Sequence, residues 1–187
     1  MDSGIFTNIY SIPNDKIEIY AKRETKKKLN MMIIIFIIIL LIFIGINNIT
    51  GISILNIIPI ILLFVILILI LAVTINHNTK DLAKSTEFLF KDDKICKKIK
   101  QENLSTLNKI GAYRNEAKYG AKINQSINKK DILHTIIKDH EIEIEAIDSN
   151  IINGNGYIII PEEIDGFDDI KQYILANSKE FRVLPKY

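Results

Sequence analysis

Three histidines, one cysteine and a row of glutamates are the residues here whose chemistry could serve catalysis or metal binding. A metal site wants two or more such ligands at helical or short-loop spacing. His77, His134 and His140 have no second His, Cys or carboxylate at that spacing on a shared helix face, so ordinary surface or rim histidines are expected. Glu141, Glu143 and Glu145 of "HEIEIEAI" alternate along one strand face. Such a row could gather a cation, but a solvated outer face opposite lysines of a neighbouring strand is the simpler expectation. The acids Glu162, Glu163, Asp165, Asp168 and Asp169 do not follow the order of a calcium loop. Gly154-Asn155-Gly156 lacks the lysine and serine or threonine of a phosphate loop, and no serine sits in a G-x-S-x-G elbow. The chain is therefore expected to be no enzyme, with no catalytic residue, no metal, no cofactor and no small-molecule substrate. Cys96 forms no internal disulfide and fits a reducing compartment, where a half-buried apolar filler is the expectation.

Lysines offer the other chemistry. Lys26, Lys27 and Lys28 precede a long apolar run, and Lys94, Lys97 and Lys98 sit in a second basic string with Lys91 and Lys100. Placed beside a bilayer, both groups could touch anionic headgroups. A nucleic-acid partner is not expected, because the formal charge is only +2 and no basic face is concentrated. Residues 76–187 carry 18 Lys+Arg against 18 Asp+Glu.

What must hold these residues is partly membrane. "MMIIIFIIILLIFIGI" (31–46) and "ISILNIIPIILLFVILILILAVTI" (52–75) contain no charge, and a bilayer-spanning helix needs about 20 apolar residues. At roughly −0.3 to −0.6 kcal/mol for each central Ile, Leu or Phe, either run inserts favourably. Two transmembrane helices are expected, at about 30–47 and 52–75, with "NNITG" interrupting them. Asn56 and Pro59 near the start of the second could kink it or seat it on the first. The triplet Asn48-Ile49-Thr50 reads as chance. Lysines flank both outer ends and none lies between the runs, so the positive-inside rule places both termini in the cytoplasm. Isoleucine fills nearly a quarter of the chain, a usage that fits an AT-rich bacterial gene and thus the bacterial cell (inner) membrane.

The later isoleucines belong to something folded in water. In "GYIIIPEEIDGF" (156–167) the apolar run 157–160 is too short to span and is closed by Pro161, which spells a buried strand. Residues 140–147 alternate and should pair with it across the turn residues 148–156. "KDILHTIIKD" (130–139) reads as a further strand. Phe167, Ile170, Tyr173 and Ile174 recur at helical steps, predicting a helix over about 166–179 capped by Asp165. "TEFLFK" and "KICKKIK" favour a hairpin about Asp92-Asp93, with a helix continuing out of the second span as the alternative. Residues 101–128 could be a strand pair or a mixed insertion. "DKIEIYAK" (15–22) alternates and could add an edge strand to the C-terminal domain.

The pieces "DILHTIIKDHEIEIEA" and "GYIIIPEEIDGFDDIKQYI", with a short leader and an apolar hairpin ahead of them, resemble bacterial pleckstrin-homology-like proteins of the YcxB-like kind. Lys129-Lys130 stand where such proteins often carry a tryptophan. The resemblance implies an α+β chain. A cytoplasmic segment (1–29) precedes two transmembrane helices (30–75), and a small antiparallel sheet domain (76–187) is closed by a C-terminal helix. It implies a binding or adaptor module that contacts a protein partner or the anionic membrane surface. The alternative is an accessory subunit of a transport- or secretion-related membrane complex, assembled through its helices.

Overall fold

The computed structural model describes residues 8–50, 57–91, 93–119, 123–150, 155–178 and 180–183. The chain is α+β, with helices and two four-stranded sheets, and divides into two compact units. Ala21–Lys80 form one; Met1–Tyr20 together with Asp81–Tyr187 form the other. Residues 1–20 of the leader thus fall in one unit with the C-terminal part, to which the sequence reading already allowed them to add an edge strand.

The leader's strand is β1 (Asn8–Ser11), not the alternating stretch 15–22. Pro13 explains the difference. Its carbonyl accepts the N–H groups of Lys16 (3.0 Å) and Ile17 (3.2 Å), opening helix α1 (Asn14–Thr50). Asp15 occupies the first turn, where the helix dipole favours an acid. Ile17 and Tyr20, three residues apart, then share a small apolar cluster with Ile12 and Ala83. A helical pair satisfies the burial that a strand would have met by alternation.

Helix α2 (Ile57–Ser85) tolerates Pro59 because the first turn has no intrahelical partner for its missing N–H. Both helices outrun the expected spans, and α1 continues through Asn48-Ile49-Thr50. Asn56 lies outside the described residues. Among the described residues one helical segment, rather than the expected two, has the length and hydropathy of a membrane span. It is Ile61–Ser85, with mean hydropathy 2.4 and none of that apolar window buried. In α1, Ile34, Ile35, Ile37, Ile38, Ile39 and Leu41 are also exposed, on several sides of the helix. Phe36 of α1 stacks on Phe64 of α2, ring centres 3.4 Å apart.

In the other unit the first sheet runs β1-β2-β3-β4, antiparallel throughout, with β2 (Thr86–Phe90), β3 (Lys94–Ile99) and β4 (Gln125–Asn128). The favoured hairpin over 86–100 is present; Asp92 lies outside the described residues. Residues 101–128 are the mixed insertion: helix α3 (Thr106–Tyr119) followed by β4. The second sheet runs β7-β6-β5-β8, with β5 (Ile132–Lys138), β6 (Glu141–Asn150) and β7 (Asn155–Pro161) antiparallel. Its fourth strand, β8 (Glu180–Val183), lies parallel to β5 and was not anticipated.

Period-two alternation puts Phe88, Phe90, Ile95 and Ile127 in one core with Ile142, Ile144, Ile158 and Ile160. Helix α4 (Phe167–Asn177) completes it with Ile170 and Ile174, as its apolar stripe predicts. Asp165 does not cap that helix. Gly166 holds the cap position at φ 66°, a left-handed conformation that favours glycine, while the Asp165 N–H donates to the Ser11 carbonyl at 3.3 Å. Asp168 and Asp169 occupy the first turn, where the helix dipole favours acids. Residue 179, where the sequence ends this helix, lies outside the described residues.

Candidate binding surfaces

The glutamate row is not solvated. Glu141 and Glu143 are buried, each 7 % exposed, because β5 and β7 flank them on both sides. Lys138 of β5 reaches both, pairing with Glu143 and lying 3.5 Å from Glu141. Burial pulls the Lys138 ammonium down, but its bond to Glu143 and the charges of both acids outweigh that, so it sits above its ordinary value. Burial and a hydrogen bond with Glu143 push the neighbouring Tyr157 phenol well above its usual range. Ser149 donates to Glu145 at 2.6 Å. The lysine opposite the acids was legible from the alternation; the closure over them was not. This face is a satisfied polar network of the kind that fixes register.

The histidines are dispersed. His77 is exposed on α2. His134 lies 3.2 Å from Glu180 and His140 2.6 Å from Glu162, each with a single carboxylate. Among the described residues no group of three His, Cys, Asp or Glu side chains could hold a metal ion. Cys96 is buried, as a filler should be, with its thiol 3.5 Å from the Ser126 hydroxyl.

The six lysines do not form one patch. Lys26, Lys27 and Lys28 are exposed on α1. On β3, strand alternation sends Lys94 and Lys98 to one face and Lys97 to the other, beside Ile95 and directly across from Phe88 and Gln125. Burial pushes the Lys97 ammonium below its ordinary value of 10.5. Lys97 is thus a half-buried cation on the core side of its sheet. Replacing it should stabilise: Lys97→Met is expected to raise the unfolding free energy by about 1–2 kcal/mol. Because the folded-state value is depressed, the unfolded chain binds the extra proton in the interval up to 10.5. Wild-type stability should accordingly rise with pH through that interval, and the methionine variant should lose the rise. Urea titrations of both proteins across alkaline pH read the difference.

Among the described residues of the two-sheet unit, three surfaces stand out for contact with other molecules. Tyr10, Phe90 and Tyr173 meet edge to face (5.5 Å and 5.6 Å), and with Asn8, Lys91 and Asp169 they line a cleft of about 250 Å³ between β1 and α4. The Tyr173 hydroxyl donates to the Lys91 carbonyl at 3.0 Å, and the Lys129 ammonium lies 4.3 Å from the Tyr173 ring centre. Helix α3 exposes Leu107, Ile110 and Tyr113 at three-residue steps. Strand β8 is the edge of its sheet and exposes Phe181 and Val183. An edge strand offers unpaired backbone groups to an incoming strand, and α3 offers an apolar stripe to a groove. Composition alone could not place these, since each depends on which neighbour the fold leaves out. No family model, curated protein or solved structure matches the chain.

Proposed function

We propose that the chain is a membrane-anchored, non-catalytic binding or adaptor module of the bacterial cell membrane. Helices α1 and α2 span the bilayer as a pair, and the two-sheet unit is a pleckstrin-homology-like domain on the cytoplasmic side. Its partner is a protein, or the anionic membrane surface, met through the edge of β8, the stripe of α3 or the tyrosine cleft. One observation carries the reading: Ile61–Ser85 is strongly apolar yet has none of its apolar window buried. Water is a poor solvent for such a helix and lipid a good one. An antiparallel four-stranded sheet and a second sheet with β5, β6 and β7 antiparallel, sharing a core with one closing helix, support the domain assignment. A tether of this kind raises the module's effective concentration for anything else in the same membrane.

Cysteine labelling tests the reading in a Cys96→Ala background. Asn48→Cys is expected to react with an impermeant maleimide on intact cells. Glu102→Cys, on the exposed turn after β3, is expected to react only once the cells are permeabilised. Release of the full chain from membranes by alkaline carbonate, or labelling of Glu102→Cys in intact cells, overturns it.

A further inference from the structure

A groove of about 490 Å³ lies between α1 and α2. Lys22, Thr25, Lys26, Leu29, Asn30 and Ile33 line one side at three- and four-residue steps, so they form a single face of α1. Ala72, Val73 and Asn76 of α2 form the other. From Lys22 to Ile33 the helix rises about 16 Å. Over that length the chemistry changes from cationic and polar to mainly apolar, with Asn30 between Leu29 and Ile33. The lining holds two cations and no acid.

We infer that this groove binds one anionic phospholipid, its phosphate held by Lys22 and Lys26 and its upper acyl chains against Leu29, Ile33, Ala72 and Val73. The inference rests on the membrane-spanning reading proposed above and adds a specific lipid site to it. The charge of the lining matches a phosphate, and the apolar half is what separates a lipid from a free anion, which would leave that half empty. A second observation points the same way. The Thr25 side chain, 8 % exposed, and the amide oxygen of Asn76 are both shielded from solvent, and neither oxygen has a hydrogen-bond partner. Polar atoms shielded in this way normally have a hydrogen-bond partner. A phosphate or ester oxygen can accept from Thr25, and a headgroup hydroxyl can donate to Asn76, once those side chains turn toward the groove. Phosphatidylglycerol carries all of these groups.

The test uses the full-length protein, taken from membranes into mild detergent and offered equal phosphatidylglycerol and phosphatidylethanolamine, with retained lipid read by native mass spectrometry. Retention of one phosphatidylglycerol, preferred by roughly tenfold or more, is expected from two lysine–phosphate attractions. The double variant Lys22→Gln/Lys26→Gln should lose roughly thirtyfold in retention. Val73→Trp should also lose the lipid by filling the groove; Val73 is 73 % exposed, so a larger side chain there leaves the fold intact. Lys27→Gln/Lys28→Gln, equal in charge but outside the groove, should retain it. Equal loss in that control, equal retention of phosphatidylethanolamine, displacement by excess inorganic phosphate, or inserted protein that retains no lipid each overturns the inference. Protein that needs no detergent to leave the membrane fraction instead overturns the membrane reading itself.

Discussion

Residues 81–187 produced alone should be far less stable than the same residues joined through a short Gly-Ser linker to residues 1–20. The fragment loses β1, whose four residues pair with β2 from Asn8↔Phe90 to Ser11↔Glu87. It also loses Ile12 and Ile17, 6 % and 4 % exposed, and uncovers Ala83. On the core side Tyr10 no longer packs edge-on against Phe90. Burying each large apolar side chain is worth about 1.5–3 kcal/mol. After the entropy of ordering the leader is subtracted, the deficit is on the order of 3–5 kcal/mol. A domain of this size holds only about 5–15 kcal/mol in total, so the fragment sits close to unfolding. The linker can be short because Tyr20 already packs against the cluster that contains Ala83. Urea midpoints and amide dispersion in NMR spectra compare the two proteins. Equal midpoints would mean that the leader contributes nothing to this unit.

Where local periodicity and burial agree, the elements could be read from the chain. Strands β5, β6 and β7 and helix α4 are such cases: β6 alternates, α4 has an apolar stripe at helical steps, and β5 and β7 are short apolar runs ending at a turn or a proline. The hairpin β2–β3 was a closer choice, decided by Phe88, Phe90 and Ile95 alternating into one core. Helix α3 was hidden because none of its described side chains is buried, so no apolar period is written by packing. Strand β1 pairs with residues almost eighty positions away, and nothing local in "NIYS" announces that partner. The alternation of 15–22 pointed to the wrong element because the same stretch also sets Ile17 and Tyr20 a helical step apart. In the helix Ile17 is buried and Ile19 exposed, and Pro13-Asn14-Asp15 decides for it.

Which face of a strand is covered was the other blind spot. Lys97 looked like one member of a basic string, yet the same alternation that buries Ile95 carries it to the core side. Glu141 and Glu143 looked solvated because acids usually are, but Lys138 and Tyr157 close over them. In both cases the period was read correctly and the face was misjudged, because a neighbouring strand, not the strand's own sequence, decides what covers it. The candidate surfaces follow the same rule: β8 and α3 expose apolar side chains where no further element of the unit arrives.

The three consecutive isoleucines of β7 make this dependence measurable. Ile158 and Ile160 are fully buried among Ile142, Ile144 and the closing helix, whereas Ile159 points to the opposite face and is only half-buried. Ile158→Ala removes three carbons from a packed interior, and large-to-small changes at such sites are worth about 2–5 kcal/mol. Ile160→Ala should behave alike. Ile159→Ala removes the same atoms from the sheet's outer face and should change stability by no more than about 1 kcal/mol. Chemical denaturation of the full-length protein in detergent, followed by far-UV ellipticity of the sheet unit, separates the three. A large–small–large pattern is expected from a strand packed on one side. Three equal losses would require this run to be buried all round, as in a helix within a protein core, and would remove the two-sheet architecture on which both the domain assignment and the exposed β8 edge depend.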